Sequence, residues 1–378
     1  MNSQPQTAVA DISEMAAISS AHSTSGKKVI FVSLTNYAGG AENILLMMAR
    51  TINSKILFLR KLNRSCLSMP ESQAARYLTQ KPLIIGFILL LKELIRYRKG
   101  YTIISTHPYL NAYLGFLKGI GYLRSDLVVR ECTSVFTRFK GYKKLSYQVA
   151  YYFGYRSVDL IICQTDIMRD QLLKQNTFIP KRKALVLSNP IDLKLINSKA
   201  RDQSNDKDLN TEFICTAGRL IPLKGFSILI KAFKDLLQEH PNLKLLILGE
   251  GKDRATLTSL IEELNLESRV ILKGHISNPV PYFEKAKLCV ISSIQEGFPN
   301  VLLEMMAVND NVVSTLCAGG IEDIPSITKV KVNDEKALST ALQVALAQPR
   351  QKAANGQVSS YLKDRSPQRF LEAILKEI

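Results

Sequence analysis

Two doubly wound α/β domains joined by a polar linker are what this sequence predicts, and three observations predict them. Short apolar runs of strand length alternate with helix-length segments along most of the chain, the pattern of a mostly parallel sheet covered on both faces. The alternation breaks at residues 197–210, NSKARDQSNDKDLN, where Ala200 and Leu209 are the only aliphatic side chains. The length, 378 residues and 42.3 kDa, exceeds the roughly 250 to 300 residues at which single cores stop growing.

Residues 1–26 are rich in Ser, Ala, Thr and Gln and lack the basic start and apolar run of a signal peptide, so they are expected to form a flexible tail. KKVIFVSL (27–34) reads as a strand that leads through Gly39 and Gly40 into the helix AENILLMMARTI; glycines at such a junction permit positive φ or close approach. KILFL (55–59) is the next strand. The segment 83–98 is a helix, apolar at its start and basic at its end. Its run LIIGFILLL is too short to cross a bilayer, which needs about 20 residues. YTIIS (101–105) runs through His107 and Pro108 into a further helix, and LVVREC, VDLIICQT and KALVLSNPID complete a first domain over 27–196.

A second domain, 211–360, starts afresh with the strand EFICTAGRL and a helix whose Phe226, Ile228, Leu229, Ala232, Phe233 and Leu236 recur at helical spacing with one sheet-facing side. LKLLILGEG, RVILKGH, KLCVISS and NVVSTL are its further strands, with helices between them. Residues 361–378 are expected to form a C-terminal helix packing back on the first domain. Ligands of such sheets bind beyond the carboxyl ends of the strands, so the domains are expected to face each other across a binding cleft.

The net charge of +17 lies entirely in the first half: residues 1–200 hold 28 Lys or Arg against 11 Asp or Glu, and residues 201–378 hold 22 of each. An anionic partner of the first domain follows, either an acidic membrane surface or a nucleic acid. The six cysteines are scattered without CxxC spacing, and Cys132, Cys163, Cys215 and Cys289 lie in or beside apolar runs, as reduced core cysteines do. With four histidines in the chain, a zinc site is not expected. GxGxxG, HExxH and GxSxG are missing, and the one DxD spacing, Asp206-Lys207-Asp208, falls in the polar linker and not at a strand end, which gives no support to a dinucleotide fold, a zinc protease, a serine hydrolase or a DxD metal-dependent transferase.

Polar residues converge on the strand ends of the second domain. Gly218, Arg219 and Lys224 follow its first strand, Gly249, Glu250 and Gly251 the second, Gly274, His275 and Ile276 the third, and Ser292, Ser293 and Glu296 the fourth. Arg219 and Lys224 are suited to hold a diphosphate, one by a fork and one as a point charge; as solvated charges beside a turn they would hold nothing. In EGFPNVLLEMM, Pro299 favours a helix start. The amides of Asn300, Val301 and Leu302 are then expected free at the positive end of the helix dipole, beside Gly297 and Phe298. Glu304, about one turn further on, could accept two ribose hydroxyls. A capping glutamate and a half-buried helix glutamate would give the same spacing. His107 follows a strand end in the first domain and is a candidate for catalytic assistance.

AGRLIPLKGFSILIKAF, LILGEG, VILKGHISNPVPYFEKAKLCVISSIQEGFPNVLLEMMA and VVSTLCAGGIEDI together resemble the retaining glycosyltransferases of family 4, in particular those that build bacterial capsule, O-antigen and other surface polysaccharides. YAGGAENILLMMA resembles that family's glycine turn, and SNPID the segment before its linker. The resemblance implies a GT-B fold. It also implies an E-x7-E pair in which Glu296 contacts the donor sugar near the reacting carbon and Glu304 the ribose. Arg219 and Lys224 match its diphosphate clamp and Gly40 its glycine loop. A nucleotide-sugar substrate, commonly UDP-linked, and no required metal or other cofactor are implied, with a polyprenyl-diphosphate-linked saccharide as acceptor. One departure is the turn after EMMA, where Val308, Asn309, Asp310 and Asn311 replace the usual CG-x-P; Asn and Asp suit turns.

The expected function is therefore transfer of a sugar in surface polysaccharide biosynthesis, by a protein peripheral to the cytoplasmic face of a bacterial inner membrane. Basic residues interleaved with apolar and aromatic ones in LIIGFILLLKELIRYRKG and RFKGYKKLSYQVAYYFGYR favour a membrane surface over nucleic acid as the anionic partner. A nucleotide-sugar epimerase of the same fold and a basic nucleic-acid-binding module are the alternatives.

Overall fold

The computed structural model describes residues 28–63, 66, 67, 69, 72–202, 206–348 and 356–378; the tail expected at 1–26 lies outside them. The chain divides into two compact units. The first comprises the described residues up to Cys163, together with Arg169–Leu187 and Pro367–Ile378; the second comprises Gln164–Met168 and Ser188–Ser366.

In chain order the elements up to the second sheet are β1 (Lys28–Thr35), α1 (Gly40–Thr51), β2 (Ile56–Arg60), β3 (Ala75–Thr79), α2 (Leu83–Glu93), β4 (Tyr101–Thr106), α3 (Pro108–Gly119), β5 (Asp126–Arg130), α4 (Val135–Arg138), α5 (Gly141–Gly154), β6 (Leu160–Cys163), α6 (Asp166–Gln175), β7 (Ala184–Val186) and α7 (Leu193–Ala200). All strands of the first sheet pair in parallel, in the order β3-β2-β1-β4-β5-β6-β7. The chain moves outward from β1 to β3 and then returns to β4. Right-handed crossovers therefore put the helices of the two halves on opposite faces. Phe31, Ile56, Phe58 and Ile104 share one core with Ile44, Leu45 and Met48 of α1. Leu59, whose side chain alternates to the other face, meets Gly86 of α2.

The second unit continues with β8 (Phe213–Ala217), α8 (Phe226–Leu236), β9 (Lys244–Leu248), α9 (Arg254–Glu263), β10 (Val270–Gly274), α10 (Val280–Lys285), β11 (Leu288–Ile291), α11 (Asn300–Val308), β12 (Val312–Thr315), β13 (Thr328–Val330), α12 (Glu335–Ala347) and α13 (Gly356–Lys363). Its sheet is also parallel, in the order β10-β9-β8-β11-β12-β13. Alternate strand residues feed two cores: Phe213, Cys215, Leu246 and Cys289 pack with α10 and α11, while Ile214, Leu245, Ile247 and Val290 pack with α8 and α12. The last helix, α14 (Pro367–Lys376), belongs to the first unit, where Phe370, Leu371 and Ile374 join the α1 core. Two Rossmann-like parallel sheets are thus present, as the GT-B expectation requires.

Three details go beyond the sequence reading. The segment expected as a linker falls within the second unit and is strapped to it. Asp192 caps α7 through the Leu195 amide, Lys273 of β10 pairs with Asp206 and Asp208, and Lys244 of β9 pairs with Asp208 at 2.9 Å. Its polarity serves ion pairs rather than solvation. Cys132, expected in the core, is only half-buried, whereas Cys317, not among the four expected there, is buried; none of the six cysteines is in a disulfide. The turn after α11 is anchored by Asn309, whose buried amide donates to the carbonyls of Phe283 and Ala286 at 2.7 and 2.8 Å.

Candidate active site

Four strand ends of the second sheet build the site. Beyond β8 and β9 the pairing continues, with Gly218 N–H on Leu248 O at 2.9 Å and Leu220 N–H on Glu250 O at 3.0 Å. The two backbones run so close that a Cβ on Gly249 would lie 1.9 Å from the Gly218 oxygen, at φ +142°. Only glycine fits there. A short 3₁₀ turn, Pro222–Lys224, then ends in the left-handed Gly225, at φ +63°, with Ser292 O where its side chain would be.

This close approach brings Lys224 to the β11 end. Ser292 Oγ donates to Lys224 O at 2.9 Å and the Ile294 amide to Leu223 O at 2.8 Å. From the opposite side, Thr315 Oγ1 donates to Ser293 O and the Glu296 amide to Cys317 O at 2.8 Å. The backbone carrying Glu296 is thereby pinned between β8 and β12. Lys224 Nζ lies 2.9 Å from Glu296 Oε1, with the two side chains 17% and 15% exposed. Ser293 Oγ donates to the same oxygen. Oε1 therefore carries two donors, and Oε2 accepts from none of the described residues. Arg219 is exposed and its guanidinium makes no hydrogen bond or ion pair among the described residues.

Helix α11 begins after Pro299 with no side-chain cap. The Val301 amide has no acceptor among the described residues. Asn300 is held by Asn189, whose Nδ2 donates to Asn300 Oδ1. The Leu302 amide, expected free, instead donates to Pro299 O at 3.0 Å in the tightened first turn. The side chains of Leu302 and Phe298 are buried in the core, not offered to a ligand. Glu304 is half-buried on α11 and makes no hydrogen bond among the described residues. Desolvation raises its pKa above the ordinary carboxylate value, against the opposing charge of Lys199. Gly297 is half-buried beside these residues; beyond β10, His275 is exposed and Ile276 half-buried against the core.

His107 and the glycine loop lie in the first unit. His107 caps α3 at φ +84°, a conformation seldom taken by a residue with a side chain. Its Nε2 stands 2.9 Å from Glu42 Oε1, an ion-pair distance without hydrogen-bond alignment. Glu42 is buried in the first turn of α1, two residues after Gly40. A Cβ at Gly39 would lie 2.5 Å from Glu42 Oε2, so the glycine loop makes room for the carboxylate that faces the histidine.

Sequence reasoning missed Ser293 as a partner of Glu296, Asn189 as a partner of Asn300, and Glu42 as the partner of His107. The first follows from an S-x-x-E spacing that was visible. The other two join residues distant in the chain, which single-sequence spacing does not reveal.

The pattern of the family described as glycosyl transferases group 1 matches residues 197–360. An N-acetylgalactosamine-N,N'-diacetylbacillosaminyl-diphospho-undecaprenol 4-alpha-N-acetylgalactosaminyltransferase of Campylobacter jejuni is 30% identical over 325 residues, covering 82% of this chain and 87% of the relative. The lipopolysaccharide core biosynthesis glycosyltransferase LpsE of Rhizobium meliloti is 27% identical over 196 residues, 51% of this chain and 55% of LpsE. Among solved structures, Anabaena HepE in complex with UDP and glucose superposes with a TM-score of 0.77 at 18% identity, over 93% of this chain and 98% of HepE, a likeness of fold. The chain belongs to the glycosyl transferases group 1 family and is a glycosyltransferase related to enzymes of surface-polysaccharide biosynthesis.

Proposed function

We propose that this glycosyltransferase moves a sugar, with retention of anomeric configuration as in family 4, from a UDP-linked donor to a polyprenyl-diphosphate-linked saccharide. Donor binding is assigned to the second unit and acceptor recognition to the first. The Lys224–Glu296 pair carries the reading, because it is held by backbone hydrogen bonds from three strand ends and keeps one carboxylate oxygen unused. HepE binds UDP and glucose on the same fold, and the Campylobacter relative is named for a diphospho-undecaprenol-linked substrate; both support the substrate class.

Breaking the sugar–phosphate bond develops negative charge on the leaving diphosphate and positive charge at the anomeric carbon. Arg219, the remaining donors of Lys224 and the Val301 amide stabilise the first by fixed dipoles and charges. Oε2 of Glu296 faces the second or binds a sugar hydroxyl. The acceptor oxygen attacks from the face the diphosphate leaves, and a diphosphate oxygen takes its proton. Glu304, without a hydrogen-bond partner among the described residues, accepts the two ribose hydroxyls. His107, held against Glu42, assists on the acceptor side.

The enzyme acts at the cytoplasmic face of a bacterial membrane, as a polyprenyl-linked acceptor requires. Among the described residues no helix is long and apolar enough to cross a membrane, and attachment is by an anionic lipid surface. A screen of nucleotide sugars against polyprenyl-diphosphate-linked saccharides, read by mass spectrometry with and without excess EDTA, tests the reading. A UDP-sugar should be consumed with one hexose or N-acetylhexosamine added to the acceptor, in EDTA as without it. Isomerisation of the nucleotide sugar with no transfer would establish an epimerase, and loss of transfer in EDTA would overturn the electrostatic assignment.

A further inference from the structure

The first unit exposes large apolar side chains on one layer of helices. Helices α2, α3 and α5 pack side by side. Tyr113 of α3 donates to Phe87 O of α2 at 3.1 Å, and Tyr109 of α3 bonds Ser146 of α5 at 2.7 Å. Gly115 and Gly154 bring α3 and α5 to backbone contact. Helix α5 has two apolar faces. Tyr147, Tyr151 and Gly154 are buried against the unit, and Glu131 accepts from the hydroxyls of Tyr151 and Tyr155. On the far side Tyr142, Leu145, Val149, Tyr152 and Phe153 form a second stripe at helical spacing, with Tyr142 92% and Phe153 60% exposed. The same layer exposes Ile84, Ile88 and Ile95 around α2, and Phe116 and Ile120 around α3.

Charge says what covers this layer. Residues 132–158 hold Arg138, Lys140, Lys143, Lys144 and Arg156 and no Asp or Glu. None of the five cations pairs with a carboxylate among the described residues; Lys143 lies over Phe139, and Arg156 over Tyr152 and Phe178. A second copy of the same face would oppose cation to cation. Nucleic acid would match the charge but leave the isoleucines, Leu145 and Val149 in water.

We propose that α5 lies in the interface of an anionic bilayer, its Tyr142–Phe153 stripe inserted among the acyl chains and its cations on the headgroups, with α2 and α3 against the same surface. The proposal rests on the membrane reading above and deepens it from electrostatic adsorption to insertion of named side chains. It distinguishes itself by what salt does. Headgroup contacts weaken as ions screen them, whereas the inserted stripe keeps part of the protein bound once it is seated.

The chain contains no tryptophan, so Tyr142→Trp and Val344→Trp each introduce one reporter, the second on an exposed site of α12 in the second unit. With vesicles containing about 30% phosphatidylglycerol in phosphatidylcholine, an anionic surface of the kind that draws polybasic segments, the Y142W emission should shift to the blue and that of V344W should not. Tyr142→Ser with Phe153→Ser should weaken vesicle partitioning by roughly tenfold or more, with unchanged far-UV circular dichroism and unchanged transfer to a detergent-dispersed acceptor. Vesicle binding without an emission shift in Y142W would overturn insertion, as would unchanged partitioning of the double Ser variant. No vesicle binding at low salt, or preferential binding of duplex DNA, would overturn the lipid surface itself. Glu296→Ala should bind vesicles as the parent does; if that variant stayed active, the transferase site would be wrong while the membrane face stood.

Discussion

The strand ends of the two units hold their charged side chains in different ways. In the second unit Lys224 and Glu296 sit on backbones stitched to each other and to β12 through Ser292, Ile294 and Thr315, so their separation is fixed before any ligand arrives. In the first, His107 and Glu42 meet at 2.9 Å without hydrogen-bond alignment, on a histidine at positive φ. Positive φ in a residue with a side chain stores strain, of order 1–3 kcal/mol. On the proposed assignment, the contrast sets preorganised electrostatics on the donor side against an adjustable group on the acceptor side.

Substitution breaks or upholds that contrast most directly. Glu296→Ala and Lys224→Ala should each lower turnover by about 10²- to 10³-fold, the cost of removing one fixed charge from a transition state. His107→Ala should lower it by only roughly tenfold, less than the about 10²- to 10⁴-fold of a positioned acid or base because this group is not held in alignment, and leave UDP affinity unchanged. Steady-state kinetics with UDP titration calorimetry would read both. Equal losses at all three positions would show that the units are not specialised as described.

The glycines sharpen the same comparison. Gly249→Ala drives a methyl group into the Gly218 carbonyl at positive φ, a backbone clash that should cost more than about 2 kcal/mol. Gly39→Ala meets the end of the Glu42 side chain at an ordinary φ of −99°. Its unfolding free energy should change by less than about 1 kcal/mol, while turnover falls because Glu42 is pushed from its place against His107. Urea unfolding and kinetics of the two variants separate a structural glycine from a spacing one.

Much of this was legible in the sequence because parallel strands buried on both faces are continuous apolar runs. The edge strands β3 and β13 were not. ARYLT (75–79) is only half-buried along its length and TKV (328–330) has one buried residue, and strands covered on one side lack that signature. The strand-end residues Lys224 and Glu296 were legible from their order along the chain, and the structure does bring them together. The Leu302 amide was misjudged because a tightened first turn consumes a donor that a regular helix leaves free. The ion pairs of the linker were not legible for a related reason: composition shows that Asp206 and Asp208 are polar, not that two lysines on neighbouring strands await them.

A smaller effect concerns pH on the donor side. Glu304 has its pKa raised by desolvation, so it takes up a proton at a higher pH than the ordinary value near about 4.3. Once protonated it accepts ribose hydroxyls poorly. UDP affinity should therefore begin to fall on acidification while exposed glutamates are still ionised, and Glu304→Gln should flatten that fall. Titration calorimetry from neutral pH down to the ordinary carboxylate range reads it; a profile identical in parent and variant would remove Glu304 from the ribose site.

The smallest expected effect tests the strap between α7 and β8. Burial works against ionisation of Asp206, but hydrogen bonds from Lys273, from Tyr282 at 2.6 Å and from the Asp208 amide hold its pKa down at about 2. The folded value lies below the unfolded one of about 3.9. The stabilisation is thus fully present above the unfolded value and is lost as pH falls through the folded one, between about 4 and about 2. Asp206 is partly open to solvent, so screening should keep the contribution to about 1 kcal/mol or less. Asp206→Asn should lower the unfolding free energy of the second unit by that amount at pH 7. Because the variant lacks the titrating group, the difference from the parent should shrink towards pH 2. A constant difference across that range would mean that Asp206 acts through packing against Tyr282, and that the strap is not held by charge.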